Sequence, residues 1–199
     1  MPSLVQTSRT ALAVLNLFFL VVVGSELVIR GSRPAYTGDR ATGSNLSSRA
    51  VVILGVGFAL FAAFNLDMTR SGPLIAGRSR ALFWVGLGVG VAGVVLRRWA
   101  VASLGRFFQL DLVVQEQHKV VRSGPYRVLR HPSYAGFLLT CVGIGLALGR
   151  WASLAVLVVV PTAAFVHRIL LEERMLLAGL GDDYAQYRKR TWRLVPGLW

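Results

Sequence analysis

The chain has 199 residues, of which 54% are hydrophobic and only 16% charged, and its mean hydropathy is +0.57; that balance excludes an ordinary soluble domain and points to a membrane. The net charge is +13, but the arginines fall in short loops between apolar runs, which fits anionic lipid headgroups rather than nucleic acid. A single cysteine, Cys141, sits inside an apolar run, so neither a disulfide framework nor a zinc cluster can form within one chain, and Cys141 reads as core.

Five apolar segments follow in order. The first, residues 11–29, is long enough to span a bilayer and lacks the cleavage site of a signal peptide. Residues 31–49, rich in Gly, Ser, Thr and Arg, read as a connector. The second and third segments, residues 50–66 and 81–96, are shorter and borrow flanking residues to span. The third contains GLGVGVAG at 86–93. A dinucleotide loop with that spacing must follow a strand; within a membrane segment the glycines serve close helix packing, as does GIGLALG at 143–149. The fourth and fifth segments, residues 134–148 and 151–171, are parted only by Gly149 and Arg150, which predicts a tight helical hairpin. Backbone groups in lipid must be satisfied within the segment, so all five are read as helices.

Five crossings divide the basic residues unevenly. Arg9, Arg70, Arg78, Arg80 and Arg150 fall on one side, 16 of the 22 on the other, and Arg168 lies within the fifth segment. The richer side faces the cytoplasm, which places the N-terminus outside and the C-terminus inside.

Polar chemistry is concentrated on that richer side. The long loop at 97–133 holds Gln115, His118, Tyr126, Arg130 and His131, with a turn at Gly124–Pro125. Pro132 fits the first turn of the fourth helix, where its missing N–H costs little. Arg130 and His131 then stand at that helix's N-terminus, where backbone N–H groups favour an anion. At the end of the fifth helix come His167, Arg168, Glu172 and Glu173. Arg168 and Glu172 share a helix face, and they read either as a simple ion pair at headgroup level or as part of a site. The hairpin returns the chain so that both groups converge. Pro161 is expected to kink the fifth helix. Asp182, Asp183, Tyr184 and Tyr187 predict a short helix after Gly181, with Trp192 and Trp199 as interface anchors.

The block SGPYRVLRHPSYAG, then a hairpin, then EERMLLAGLGDDYAQYRKR, resembles the isoprenylcysteine carboxyl methyltransferase family, within a wider group that includes phospholipid N-methyltransferases. The resemblance runs from near Leu104 to Trp199. Eukaryotic members carry a longer acidic run where this chain has Leu170 and Leu171. The resemblance implies an integral membrane enzyme that uses S-adenosylmethionine without a Rossmann domain. By position it assigns Gln115, His118, Lys119, Val120, Val121, Tyr126, Arg130, His131 and Glu172 to the cofactor, and Arg168 to the acceptor carboxylate. Tyr134 and Glu173 are weaker candidates, and no metal is implied.

The expected architecture is one all-α membrane domain over 1–199. Residues 1–100 contain helices one to three, and residues 101–199 form a catalytic region with the last two helices and the tail. The expected activity is methyl transfer to a lipophilic acceptor, most simply a carboxylate, at the cytoplasmic membrane face. The Arg-, Ala-, Val- and Gly-rich composition points to a bacterial plasma membrane. An NADPH-dependent membrane reductase similar to steroid 5-alpha-reductases and a phospholipid N-methyltransferase are the alternatives.

Overall fold

The computed structural model describes residues 9–31, 44–69, 71–76, 79–105 and 120–199. Gln115, His118 and Lys119 lie outside the described residues. Five long helices occupy the positions of the five apolar segments: α1 (Arg9–Gly31), α2 (Ser44–Met68), α3 (Arg80–Leu104), α4 (Pro132–Leu148) and α5 (Trp151–Lys189), with a 3-10 turn at Gly124–Arg127. Three of them, Ala50–Met68 within α2, α3 and α5, are long and apolar enough to cross a membrane; Ala13–Val28 and α4 are shorter apolar helices.

Local chemistry sets the helix ends. The Ser79 side chain caps α3 by accepting from Leu82 N at 3.2 Å, which satisfies one of the orphan N–H groups of the first turn. Pro132 opens α4 at its first position, with His131 as N-cap. Gly149, in the left-handed conformation, ends α4, and Arg150 begins α5.

Three helices run further than hydropathy alone indicates. The second begins at Ser44, within the stretch expected to be a connector. The third continues past Leu96 to Leu104, carrying Arg97 and Arg98 on the helix rather than in the loop. The fifth has 39 residues. At about 1.5 Å per residue that is nearly twice the thickness of a hydrocarbon core. The apolar half, through Leu171, suits the bilayer, and the polar half from Glu172 onward projects beyond it. Pro161 lies inside the helix, and α5 breaks at Gly181 (φ 53°, ψ −128°), the one residue within it with non-helical dihedrals. Pro161 is fully buried, whereas Gly181 is free of a Cβ and takes the conformation at little cost. The short helix expected after Gly181 is present.

The tightest packing joins α3 to α4. A Cβ on Gly93 would stand 2.5 Å from Thr140 N and 2.6 Å from Gly136 O, and one on Gly86 would stand 2.5 Å from Ala147 N. Backbone therefore lies on backbone along this seam, as the glycine-rich strings predict. Phe18 of α1, Ala59 and Ala63 of α2, Phe83 of α3, Cys141 and Ile144 of α4 and Leu157 of α5 complete the apolar core. Exposed Leu17, Leu20, Leu54, Phe58, Phe61 and Val159 cover the outside with apolar side chains.

At one end, the α4–α5 turn is clamped by the α2–α3 connection. Ile75 N donates to Gly149 O, Trp151 N donates to Pro73 O, and Arg150 donates to Gly72 O at 2.9 Å while facing Asp67 at 3.4 Å. At the other end, Arg97 of α3 forms a two-point ion pair with Glu26 of α1. It also donates to the backbone oxygen and Oγ of Ser133, at 3.1 and 2.9 Å. Three helices meet there, beside the start of α4.

Candidate active site

His131 and Tyr134 occupy the N-cap and first turn of α4, and Arg168, Glu172 and Glu173 lie where α5 leaves its apolar half. Helical spacing places 168 and 172 on one face, while 173 turns toward the tail. Tyr134 Oη stands between the two: Arg168 Nε donates to it at 3.0 Å, and it donates to Glu172 Oε2 at 2.9 Å. The Tyr134 ring is stacked between His131 at 5.7 Å and Phe165 at 4.9 Å. His131 Nδ1 is 3.9 Å from Glu172 Oε2. Tyr134, a weak candidate from sequence, is thus the centre of the network. Its hydroxyl both accepts and donates, so it fixes an arginine and a carboxylate relative to each other.

Glu173 does different work. Its side chain is 4% exposed and receives Arg130 Nε at 2.8 Å and Arg193 at 3.0 and 3.2 Å. Arg188 lies 3.8 Å away and His131 Nε2 3.5 Å away. Burial alone would raise the carboxyl, but the nearby His131 ring, the hydrogen bonds from Arg193 and the charge of Arg130 outweigh it. They hold Glu173 well below the usual carboxylate range, at about 2. A buried carboxylate of this kind is tolerated because its oxygens are paired by cations.

Arg130 was expected to meet the cofactor. In the structure its Nε donates to Glu173 and its Nη1 to the carbonyls of Arg188 and Thr191. The backbone continues the same join: Arg130 N donates to Trp192 O, His131 N to Arg193 O, and Trp192 N to Val128 O. The tail folds back, with Arg193 N and Leu194 N both donating to Trp199 O and the Arg193 guanidinium 4.8 Å over the Trp199 ring.

Tyr126 is buried in the 3-10 turn. Burial first, and then Glu172, push its hydroxyl far above the ordinary range, so it stays neutral. The Tyr187 hydroxyl donates to Tyr126 O at 2.8 Å. Val120 and Val121 are half-buried ahead of that turn, and His167 is exposed. Sequence reasoning missed Glu26, Arg97 and Ser133. The available signal was that Glu26 is the one acidic residue in the first apolar run.

The donor set fits a polar, partly cationic ligand. His131 Nε2 and Tyr184 Oη are buried and lack a hydrogen-bond partner among the described residues, although burying such groups unpaired is costly. Both belong to this end of the molecule: Nε2 faces Glu173, and Tyr184 feels the charges of Glu173 and Glu172. Glu172, 30% exposed, offers a carboxylate to hydroxyl or amine donors. These groups suit the ribose, amine and sulfonium of S-adenosylmethionine. Among the described residues no group of three or more His, Cys, Asp or Glu is arranged to hold a metal ion.

Fold and site together define an all-helical membrane protein whose polar centre lies where its apolar helices end. The model of the isoprenylcysteine carboxyl methyltransferase family matches residues 84–178. Over that region the chain is similar to the family; the match begins within α3 rather than after it, and it ends at 178, so it takes in the first block and only the start of the second. Protein-S-isoprenylcysteine O-methyltransferase B of Arabidopsis thaliana is 35% identical over 119 residues, covering 57% of this chain and 60% of the plant protein. Protein-S-isoprenylcysteine O-methyltransferase of Schizosaccharomyces pombe is 34% identical over 112 residues, covering 55% of this chain and 48% of the yeast protein. This chain therefore spans about half to three fifths of the length of these relatives. The solved structure of a eukaryotic intramembrane Ras methyltransferase, an isoprenylcysteine carboxyl methyltransferase, shares the fold. Its TM-score is 0.61 at 22% identity, over 78% of this chain and 62% of that one.

Proposed function

We propose that this protein is an S-adenosylmethionine-dependent methyltransferase that esterifies the carboxylate of a lipophilic acceptor at the cytoplasmic face of a membrane. The observation that carries this reading is the Arg168–Tyr134–Glu172 chain, set where α5 passes from apolar to polar. The relatives named above act on S-isoprenylcysteine, so an acceptor with an isoprenoid chain and a free carboxylate is the first choice. Those relatives are eukaryotic, and a bacterial source rests on composition alone.

S-adenosylmethionine supplies a methyl group on a positively charged sulfur. Glu172, His131 and Tyr126, with Gln115, His118, Lys119, Val120 and Val121, are assigned to hold it. A carboxylate acceptor already carries its lone pair and needs no general base. It needs to be held in line, and positioning supplies a large share of the rate. Arg168 has the planar donor geometry that suits a carboxylate, and Tyr134 fixes Arg168 through Nε. Phe137 and Phe165, in edge-to-face contact at 5.5 Å, give the neighbouring acceptor path an apolar wall. Arg130 and Glu173 act as positioning residues, joining loop to tail beneath His131.

The test uses the purified protein in nanodiscs with tritiated methyl donor and an S-prenylated cysteine. Counts released as volatile methanol by alkali are expected, because a methyl ester is base-labile and a methylated amine is not. Calorimetry should show S-adenosylhomocysteine binding that Glu172→Ala abolishes. Arg168→Lys should retain binding and lose transfer. Saturable NADPH binding with no response to S-adenosylhomocysteine would overturn the assignment.

A further inference from the structure

A second polar cavity is lined in part by Tyr126. Arg122, Tyr126 and Arg127 of the 3-10 turn region and Gln186, Tyr187, Arg190 and Thr191 of the α5 extension line an open cavity of about 170 Å³. Three guanidiniums border it. The hydroxyls beside them are already engaged: Tyr187 donates to Tyr126 O and Leu129 O, and Thr191 Oγ1 donates to Tyr187 O. Arg122 shares one nitrogen with Asp183, through its side chain and carbonyl. The donors that remain for a ligand belong to Arg127, Arg190, Gln186 and the rest of Arg122. One nearby carboxylate offsets three positive charges, leaving an excess of two.

We propose that this cavity binds a phosphate group. Arginine forks match phosphate oxygens two at a time, and a phosphate's charge suits the excess here. The site stands on the part of α5 that projects beyond the bilayer, beside exposed Val128, Trp192 and Val195. That places it at headgroup level, where an anionic phospholipid and a soluble phosphate present the same chemistry. Of its lining residues only Tyr126 is also assigned to the methyl donor, and the donors named here for phosphate are other side chains.

The experiment uses the full chain in phosphatidylcholine nanodiscs, titrated calorimetrically with inorganic phosphate and with short-chain phosphatidic acid. Each lost charge-assisted contact is worth roughly tenfold in affinity. Arg127→Gln/Arg190→Gln, at two exposed positions, should therefore weaken binding at least about tenfold with an unchanged Tm. Gln186→Glu, which adds a negative charge to the cavity, should do the same. The equal-charge control Arg98→Gln/Arg174→Gln should stay within about twofold. Phosphatidic acid binding far better than phosphate assigns the site to a lipid headgroup, and comparable binding assigns it to a soluble phosphate; either supports the proposal. No binding by the wild type, unchanged binding in both cavity variants, or an equal loss in the control overturns it.

Discussion

Tyr134, in the first turn of α4, and Glu173, on α5, show how support is divided from chemistry where the two helices meet. Removing the Tyr134 hydroxyl separates Arg168 from Glu172 without emptying the stack between His131 and Phe165. Tyr134→Phe should keep the fold and lower kcat by roughly one to two powers of ten, since two hydrogen bonds to charged groups are lost. Single-turnover methyl transfer checks this, and an unchanged rate would remove Tyr134 from the site. For Glu173 the expected effect is on stability. Its folded pKa, about 2, lies below its ordinary value of 4.5, so the folded state favours the ionised form. That contribution is complete above pH 4.5 and is lost as pH falls toward 2. It is worth about 3 kcal/mol. The Tm of the wild type in detergent should fall across that interval, while Glu173→Gln should start lower and vary less with pH. Parallel pH profiles would show that the Arg130–Arg193 cage is not what sets the acid sensitivity.

Among the elements, α3 and α4 behave as one unit because glycine lets their backbones touch. A side chain at Gly93 would collide with backbone atoms of Thr140 and Gly136, and backbone cannot yield as a flexible side chain does. Gly93→Val should therefore cost at least about 3 kcal/mol and displace the start of α4, whereas Gly88→Val, with open space around it, should leave the Tm nearly unchanged. Thermal unfolding followed by tryptophan fluorescence compares the two. This seam was legible in the sequence, because glycines at helical spacing inside an apolar run have few other uses. The convergence of His131 and Tyr134 with Arg168 and Glu172 was legible too, because a two-residue hairpin leaves the chain nowhere else to go. What hydropathy concealed was Arg97. A charged residue reads as the end of a span, yet α3 continues through it because Glu26, 71 residues away in sequence, neutralises it. The division of labour between Glu172 and Glu173 was hidden for the same reason: it depends on Arg193 and Tyr134, which only folding brings near.

For the molecule as a whole, the question is which way it sits. The distribution of charge is what bears on it. With five crossings, 16 of the 22 basic residues of the sequence are expected on the side that holds the 97–133 loop and the tail, and positive residues are retained on the cytoplasmic side. The polar half of α5, the tail and the 3-10 turn gather at that end, where the proposed reaction would bring a cofactor from the cytosol to an acceptor dissolved in the bilayer. If the orientation were reversed, the site would face a compartment to which S-adenosylmethionine would have to be exported. The prediction is made in a Cys141→Ala background, since Cys141 is the only cysteine and is buried. Thr69→Cys reports the hairpin end and Ser123→Cys the site end; both positions are exposed. In intact cells a membrane-impermeant maleimide should label Cys at 69 at once and Cys at 123 only after permeabilisation. The reverse pattern would place the site outside and would remove the cytosolic cofactor from the proposed reaction, even though every contact within the network would remain the same.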